Sequence, residues 1–378
     1  MKKYDVVILG AGASGLMCAG NISPKKSLAI VEGNTQVARK VKISGGGKCN
    51  ITNIEVKVSN YDGDVELLKS VFKRFNKEKL LRFLERNKVE LELRKGRYYF
   101  CKKSSDDIIE LLTRNAKHAE LFLDEKIVSA TKEGEDFVIQ THQRTLYAQK
   151  LVVATGGKSF AQLGATDVGL RVAESFGIET KKFTPALVGL TLQKEQFWMK
   201  ELSGLSCYVH IKVGEKILQE EMLFAHKGIS GPAVLSASLY WEKGEISINF
   251  LPAHKIQELI QGKKMLSSAI PLPKRLAKAL IQALDVEDKE CSKLTKQERE
   301  KLKSLHNYIF SPAGSFGFTK AEVSKGGVVS EEINPKTLES KKIKNLYFIG
   351  EVVDVTGELG GYNFQWAFSS GFVCAKSI

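Results

Sequence analysis

Six residues near the start, Gly10-Ala11-Gly12-Ala13-Ser14-Gly15, have the types and spacing to hold a dinucleotide pyrophosphate. Gly10 permits a tight turn after a strand. Gly12 lets a phosphate approach the backbone. Gly15 lets the following helix, opened by Ala13 and Ser14, pack closely on that strand. The phosphate would then meet free N–H groups at a helix N-terminus. An acid is expected about 20 residues further on, to accept from a ribose hydroxyl, and Glu32 stands there. An acid at that point indicates an unphosphorylated ribose, as in FAD or NAD. A second glycine-bearing stretch at the far end selects FAD: Gly350-Glu351, then Gly357, Gly360 and Gly361, leading into a helix. A nicotinamide dehydrogenase needs no such second site. A helix N-terminus beside the N1–O2 edge of a flavin would favour its reduced form.

Other residues have two readings. Lys48 follows three glycines, a setting suited to an anion, or is a surface lysine. Cys49 would be reactive if Lys48 lowered its pKa, or is a packing residue. His226 could act as an acid or base near neutrality, or be an ordinary loop histidine. Tyr362 could stack near the ring or donate a proton, or simply pack. Ser230-Gly231-Pro232 has the form of a helix start. Phe364 and Trp366 are expected in the core. No zinc-ligand spacing occurs, and no metal is expected.

These residues need elements to position them. Residues 4–9 are a buried parallel strand, 14–22 a short helix and 27–31 a second strand, a β-α-β unit of the expected length. Residues 64–118 have helical periodicity throughout. Residues 121–148 are a meander with a turn at 133–136. Residues 151–154 form another buried strand, ending at Thr155-Gly156-Gly157. Residues 187–250 are strand-rich with one helix after Pro232, and 254–310 are helical and Lys-rich. Thr295 with Glu298 forms a capping box. Strands return near 321–329 and 345–349, before a last helix over 363–375.

The 378 residues exceed one ordinary core. Hydrophobic residues at 43% and charged residues at 26% describe a globular chain. No run of 18 apolar residues occurs, so no membrane span is expected. Six scattered cysteines without a CxxC pair fit a reducing, cytoplasmic setting. Lys2 and Lys3 imitate the start of a secretory signal, but Asp5 interrupts the apolar run behind them. The net charge of +14 suits anionic partners, yet no nucleic-acid motif accompanies it. Nucleic acid is therefore not an expected partner.

Several stretches together resemble the aminoacetone-oxidase-like, or BaiN-like, flavoproteins of the two-dinucleotide-binding superfamily. They are the opening turn with Glu32; Ser44-Gly45-Gly46-Gly47-Lys48-Cys49-Asn50-Ile51-Thr52-Asn53; Ala154-Thr155-Gly156-Gly157; His226-Lys227-Gly228-Ile229-Ser230-Gly231-Pro232; and 350–357 with Gly360-Gly361-Tyr362-Asn363-Phe364-Gln365-Trp366-Ala367. The resemblance implies an α/β fold. A discontinuous Rossmann-type FAD domain (1–186 and 320–378) would be interrupted by a β-rich domain (187–253 and about 311–319) and a helical insert (254–310). It implies Arg39 and Lys40 beside the cofactor, and Ser44, Gly45 and Asn50 at the flavin or its phosphates. Val128 would contact adenine through its backbone, and Thr155 and Gly156 would line the pyrophosphate. Glu351 or Asp354 would hold the ribitol, and Gly361, Asn363 and Gln365 would sit at the ring. The chain departs from the family at Thr166-Asp167-Val168-Gly169, at Ala225 and at Cys101.

The activity expected is FAD-dependent hydride transfer between flavin N5 and a small organic substrate. The leading form is reduction of an unsaturated ketone with NADH or NADPH as a transient donor. Amine oxidation by oxygen, a tRNA-modifying flavoprotein and a flavin binder without activity are the alternatives.

Overall fold

The structure is a computed structural model describing residues 2–378. The chain divides into two compact units. One takes residues up to Thr184 together with Val323–Ile378; the other is Pro185–Glu322.

The first unit is built on a seven-stranded sheet. Strand β1 (Lys3–Leu9) lies at its centre, parallel to β2 (Leu28–Val31) on one side and to Thr145–Val153 on the other. Val6, Val7, Ile8 and Leu9 are fully buried, as expected for a parallel strand covered on both faces. Glu120–Phe122 extends the sheet beyond β2. Strand Thr145–Val153 has two partners on its outer side. Its first half pairs antiparallel with Asp136–Thr141, and Leu151–Val153 pair parallel with Leu346–Phe348. Distant ends of the chain thus share one sheet. Helix α1 (Ala13–Ala19) packs against the last helix, Tyr362–Ala375.

The stretch 64–118 is only partly helical. Val65–Arg74, Lys77–Arg86 and Asp106–Asn115 are helices, the first two capped by the side chains of Asp64 and Asn76. Between them, Leu91–Arg94 and Tyr98–Cys101 form an antiparallel hairpin. Its turn is closed by the Arg97 N–H donating to the Arg94 carbonyl at 3.0 Å. Lys95 and Gly96 both have positive φ, the primed turn that suits hairpin twist. This corrects the all-helical expectation. The hairpin pairs with β3 (Asn50–Asn53), which follows helix α2 (Arg39–Gly47).

The second unit carries a seven-stranded sheet with antiparallel pairings. Strand Ser206–Val213 turns Val209 and Ile211 inward and Tyr208 and Lys212 outward. Helix Pro232–Tyr240 begins at its proline. The helical stretch shares this unit's core: Leu276, Leu280, Ile281 and Leu302 are buried in one cluster with Val209, Phe224 and Ile248. Thr295 and Glu298 form the reciprocal capping box expected of them.

Candidate functional site

The opening turn is held from several directions. The Gly10 N–H donates to the Val31 carbonyl at 2.7 Å. Gly10 has φ +106°, and a Cβ there would lie 2.4 Å from the Ala154 carbonyl oxygen. A Cβ on Gly15 would stand 2.0 Å from the Gly10 oxygen. Neither position can take a side chain. Around Gly12, by contrast, no atom of the described residues lies within 4 Å of a Cβ. Ala13 and Ser14 are buried in the first turn of α1. Glu32 receives the Ala11 N–H at 2.8 Å on one oxygen, and the Asn34 N–H and carboxamide at 2.9 and 2.7 Å on the other. Arg39 donates to the Asn34 side chain at 2.9 Å. The acid is thereby fixed at the end of β2.

Thr155 and Gly156 follow strand Thr145–Val153. Close to them is Glu351, with an oxygen 3.8 Å from a Cβ built on Gly156. Lys40 binds Glu351 at 2.9 Å, and the Ser324 N–H donates to it at 2.8 Å. Lys40 comes from α2 and Glu351 from the closing stretch, 311 residues apart. Ser324 was not singled out in the sequence. Its hydroxyl accepts the N–H groups of Lys158 and Ser159 at 2.8 and 2.9 Å, and no local pattern marks it. Asp354 faces Lys181 at 2.7 Å. Of the two ribitol candidates, only Glu351 adjoins the Thr155–Gly156 turn.

The C-terminal end of α2 is no regular helix. Gly45 and Gly46 have left-handed backbones, the Ser44 hydroxyl donates to the Val41 carbonyl at 2.8 Å, and the Cys49 N–H returns to the Ser44 carbonyl at 2.9 Å. Asn50 lies beside Gly361, whose Cβ would sit 2.8 Å from Asn50 Oδ1. Lys48 lies 3.7 Å from Glu92. Cys49 is completely buried, and burial pushes its thiol well above the usual range. Buried in this way, Cys49 fits the packing reading better than the reactive one.

In the closing stretch, the Gly350 N–H donates to Ser370 and its carbonyl accepts from Trp366, both at 3.0 Å. Asn363 clasps Gly357, accepting from its N–H and donating to its carbonyl at 2.9 Å each. Gln365 departs from expectation. It is fully buried, accepts from Thr52 at 2.7 Å and donates to Ser369 at 2.9 Å. Its carboxamide ties the last helix to β3 and has no surface to offer a ring. Tyr362 is buried too, with its phenol pushed up to about 12, chiefly by burial. The Tyr61 hydroxyl donates to its carbonyl at 3.0 Å. Trp366 is core, as expected. Val128 is 63% exposed, on the edge strand Ile127–Glu133. His226 belongs to the second unit, exposed in the turn between Lys216–Ala225 and Gly228–Ser230.

Two polar atoms test the fit to FAD. Thr155 Oγ1 and Asn50 Oδ1 are buried and have no hydrogen-bond partner among the described residues. Buried polar atoms are rarely left unpaired, and both residues flank positions where a ligand is expected. With the open space at Gly12, they fit a dinucleotide. Among the described residues, no group of three or more His, Cys, Asp or Glu is placed to hold a metal, and no helix is long and apolar enough to cross a membrane.

Fold and site define a Rossmann-type, FAD-dependent oxidoreductase. The comparisons agree. The description "HI0933-like protein Rossmann domain" matches residues 4–377. The chain is 36% identical over 398 residues to a ribosomal RNA dihydrouridine synthase of Haemophilus influenzae, covering 100% of this chain and 99% of that one. It is 27% identical over 401 residues to a 3-dehydro-bile acid delta(4,6)-reductase of Clostridium scindens, covering 98% of each. A 3-ketosteroid delta1-dehydrogenase structure from Sterolibacterium denitrificans shares the fold, at TM-score 0.51 and 12% identity over 100% of this chain and 99% of that one. The chain belongs to the HI0933-like flavoprotein family.

Proposed function

We propose that the protein reduces a carbon–carbon double bond conjugated to a carbonyl, and that its substrate is a uridine of ribosomal RNA. The observation that carries this reading is the end-to-end match at 36% identity to an enzyme named for making dihydrouridine in rRNA. The bond class supports it. In uridine the C5–C6 double bond is conjugated to the C4 carbonyl; in a 3-oxo bile acid a delta-4 double bond is conjugated to the C3 carbonyl. Relatives named for such different molecules share one reaction, hydride addition at the far end of a conjugated system. The net charge of +14 suits a polyanion. In this reading RNA replaces the small-molecule partner expected from sequence.

When bound and reduced, FAD supplies the hydride from N5. The chain's own residues position and compensate. Gly10, Gly12, Ala13, Ser14 and Gly15 receive the pyrophosphate, with Thr155 and Gly156 opposite. Glu32 takes the adenosine ribose, and Val128 the adenine edge. Lys40 and Glu351 hold the ribitol side, supported by Arg39, Ser44, Gly45 and Gly350. Asn50 and Gly361 border the ring, and Asn363 shapes the turn before it. A proton must reach uridine C5. Tyr362, held near 12 by burial, keeps its proton at neutral pH, whereas Lys48 is tied to Glu92. NADH or NADPH is the proposed donor.

The test is nucleoside mass spectrometry of rRNA from cells with and without the gene. Dihydrouridine should vanish at one site on deletion and return with the purified protein plus NADPH or NADH. Unchanged rRNA, with rapid turnover of a small enone, would shift the assignment to the second reading, a small-molecule enone reductase, favoured by the bile-acid relative.

A further inference from the structure

Residues 259–284 contain no Asp or Glu, yet carry Lys263, Lys264, Lys274, Arg275 and Lys278. All five are exposed. The segment folds as a loop, a one-turn helix Leu266–Ala269 and helix Lys274–Ala283, the two helices packed together. The longer helix buries Leu276, Ala277, Leu280 and Ile281 in the core of the second unit, and this fixes its cationic face outward. Its first turn holds Lys274 and Arg275 with no acid and no side-chain cap. The helices Val65–Arg74, Lys77–Arg86 and Asp106–Asn115 instead start with Glu66, Glu78 and Asp106. Cations at the positive end of a helix repel its dipole, and a polyanion laid along the face relieves that repulsion.

The bordering carboxylates are already engaged. Asp288 accepts from Ser267 at 2.9 and 2.7 Å, Glu298 holds Lys289 at 2.8 Å, and Glu290 pairs with Lys293 at 3.4 Å. Arg275 donates to the Glu201 carbonyl at 2.8 Å, joining this helix to the segment Lys194–Leu202. Among the described residues, Lys263, Lys264, Lys274 and Lys278 have no carboxylate partner. Phe197 on the neighbouring segment is 43% exposed, with the Lys200 ammonium 3.2 Å from its ring centre. An exposed ring beside cations is what an unstacked base and its phosphates require.

We propose that this cationic segment, with Lys263, Lys264, Lys274, Arg275 and Lys278 exposed along it and Phe197 on the neighbouring segment, docks the phosphate backbone of the RNA substrate. The inference rests on the rRNA reading above and names the surface that reading needs.

The test compares the full-length holoprotein with the variant Lys263→Gln/Lys264→Gln/Lys274→Gln/Lys278→Gln. The probe is rRNA from cells lacking the gene. Binding is measured across a salt series, and dihydrouridine formation across RNA concentrations. Losing about four phosphate contacts should make the log–log salt slope shallower by roughly three. The Kd should weaken at least tenfold, with KM rising and kcat at saturating RNA unchanged. Flavin content and bleaching by NADPH should not move. If the fourfold variant is poorly folded, the pairs 263/264 and 274/278 taken separately should each remove about half the slope change. Wild-type Kd and slope in a folded variant, with wild type still making dihydrouridine, would overturn this surface and leave the function intact. A wild type that neither binds rRNA nor makes dihydrouridine overturns both. Loss of binding to anionic phospholipid vesicles, with RNA binding unchanged, would reassign the face to a membrane and overturn the proposal.

Discussion

The opening turn and the closing helix meet in one unit but work in opposite ways. Gly10 and Gly15 are dictated by backbone collisions, and at Gly12 the turn leaves a gap that no described atom fills. In the closing stretch the polar side chains that looked like ligand contacts are turned onto the protein itself: Asn363 onto Gly357, Gln365 onto Thr52 and Ser369. One end offers a vacancy made by backbone. The other offers a rigid wall braced by side-chain hydrogen bonds. A polar residue in a binding motif can therefore be scaffold, and its variant phenotype then appears in stability before affinity.

Gly15→Ala puts this contrast under the greatest strain. Its Cβ would meet the Gly10 oxygen at 2.0 Å, so α1 must shift away from the turn. We expect a loss of about 3 kcal/mol or more of apoprotein stability, at or above the upper end of overpacking effects, seen as a lowered urea midpoint. Gly12→Ala should leave that midpoint in place and weaken FAD binding at least tenfold, because the methyl enters only the space proposed for the pyrophosphate. Equal destabilisation by both would break the distinction.

Gln365→Leu probes the other half. It conserves volume but strands the buried Thr52 hydroxyl, at a cost of roughly 2 kcal/mol. The folded fraction should retain its flavin and the shape of its visible spectrum. Normal stability with lost or shifted flavin absorbance would return Gln365 to the ring. Glu351→Gln should act less strongly, loosening its contacts with Lys40 and the Ser324 N–H together with its hold on the cofactor. Its ion pair with Lys40 is partly solvated, so an effect of about 1 kcal/mol, near fivefold in FAD Kd, is expected after screening. Flavin fluorescence on dilution measures it.

What the sequence revealed follows the same division. The β-α-β unit was legible because a doubly buried strand needs a continuous apolar run, and because the Gly10 and Gly15 spacing is enforced by short-range backbone contact. The hairpin at 91–101 was missed because Leu91 and Leu93 sit among leucines of helical spacing. The signal was there in Lys95-Gly96, a turn pair between alternating residues. Gln365 carried a signal too: it stands four residues before Ser369 in a helix buried almost all round, where paired polar groups are expected to satisfy each other. Ser324 and the burial of Cys49 had none. Ser324 matters through Lys158, Ser159 and Glu351, all remote in sequence. Cys49 is covered by a chain reversal whose direction no local pattern gives.

The smallest expected effect lies outside both regions and serves as their control. Glu298 is held down to about 2, first by the Lys289 ammonium and then by the Thr295 N–H of its capping box. Its folded pKa is below the unfolded value near 4.3. The group therefore contributes stability that is fully present above that unfolded value and is lost as pH falls from there towards 2. Glu298→Gln should flatten the acid limb of the melting curve between about pH 4.3 and 2, and leave FAD affinity at pH 7 untouched. A change in flavin binding in that variant would mean that the second unit's helical stretch reports to the cofactor. The difference drawn between Gly12 and Gln365 would then no longer be a property of the first unit alone.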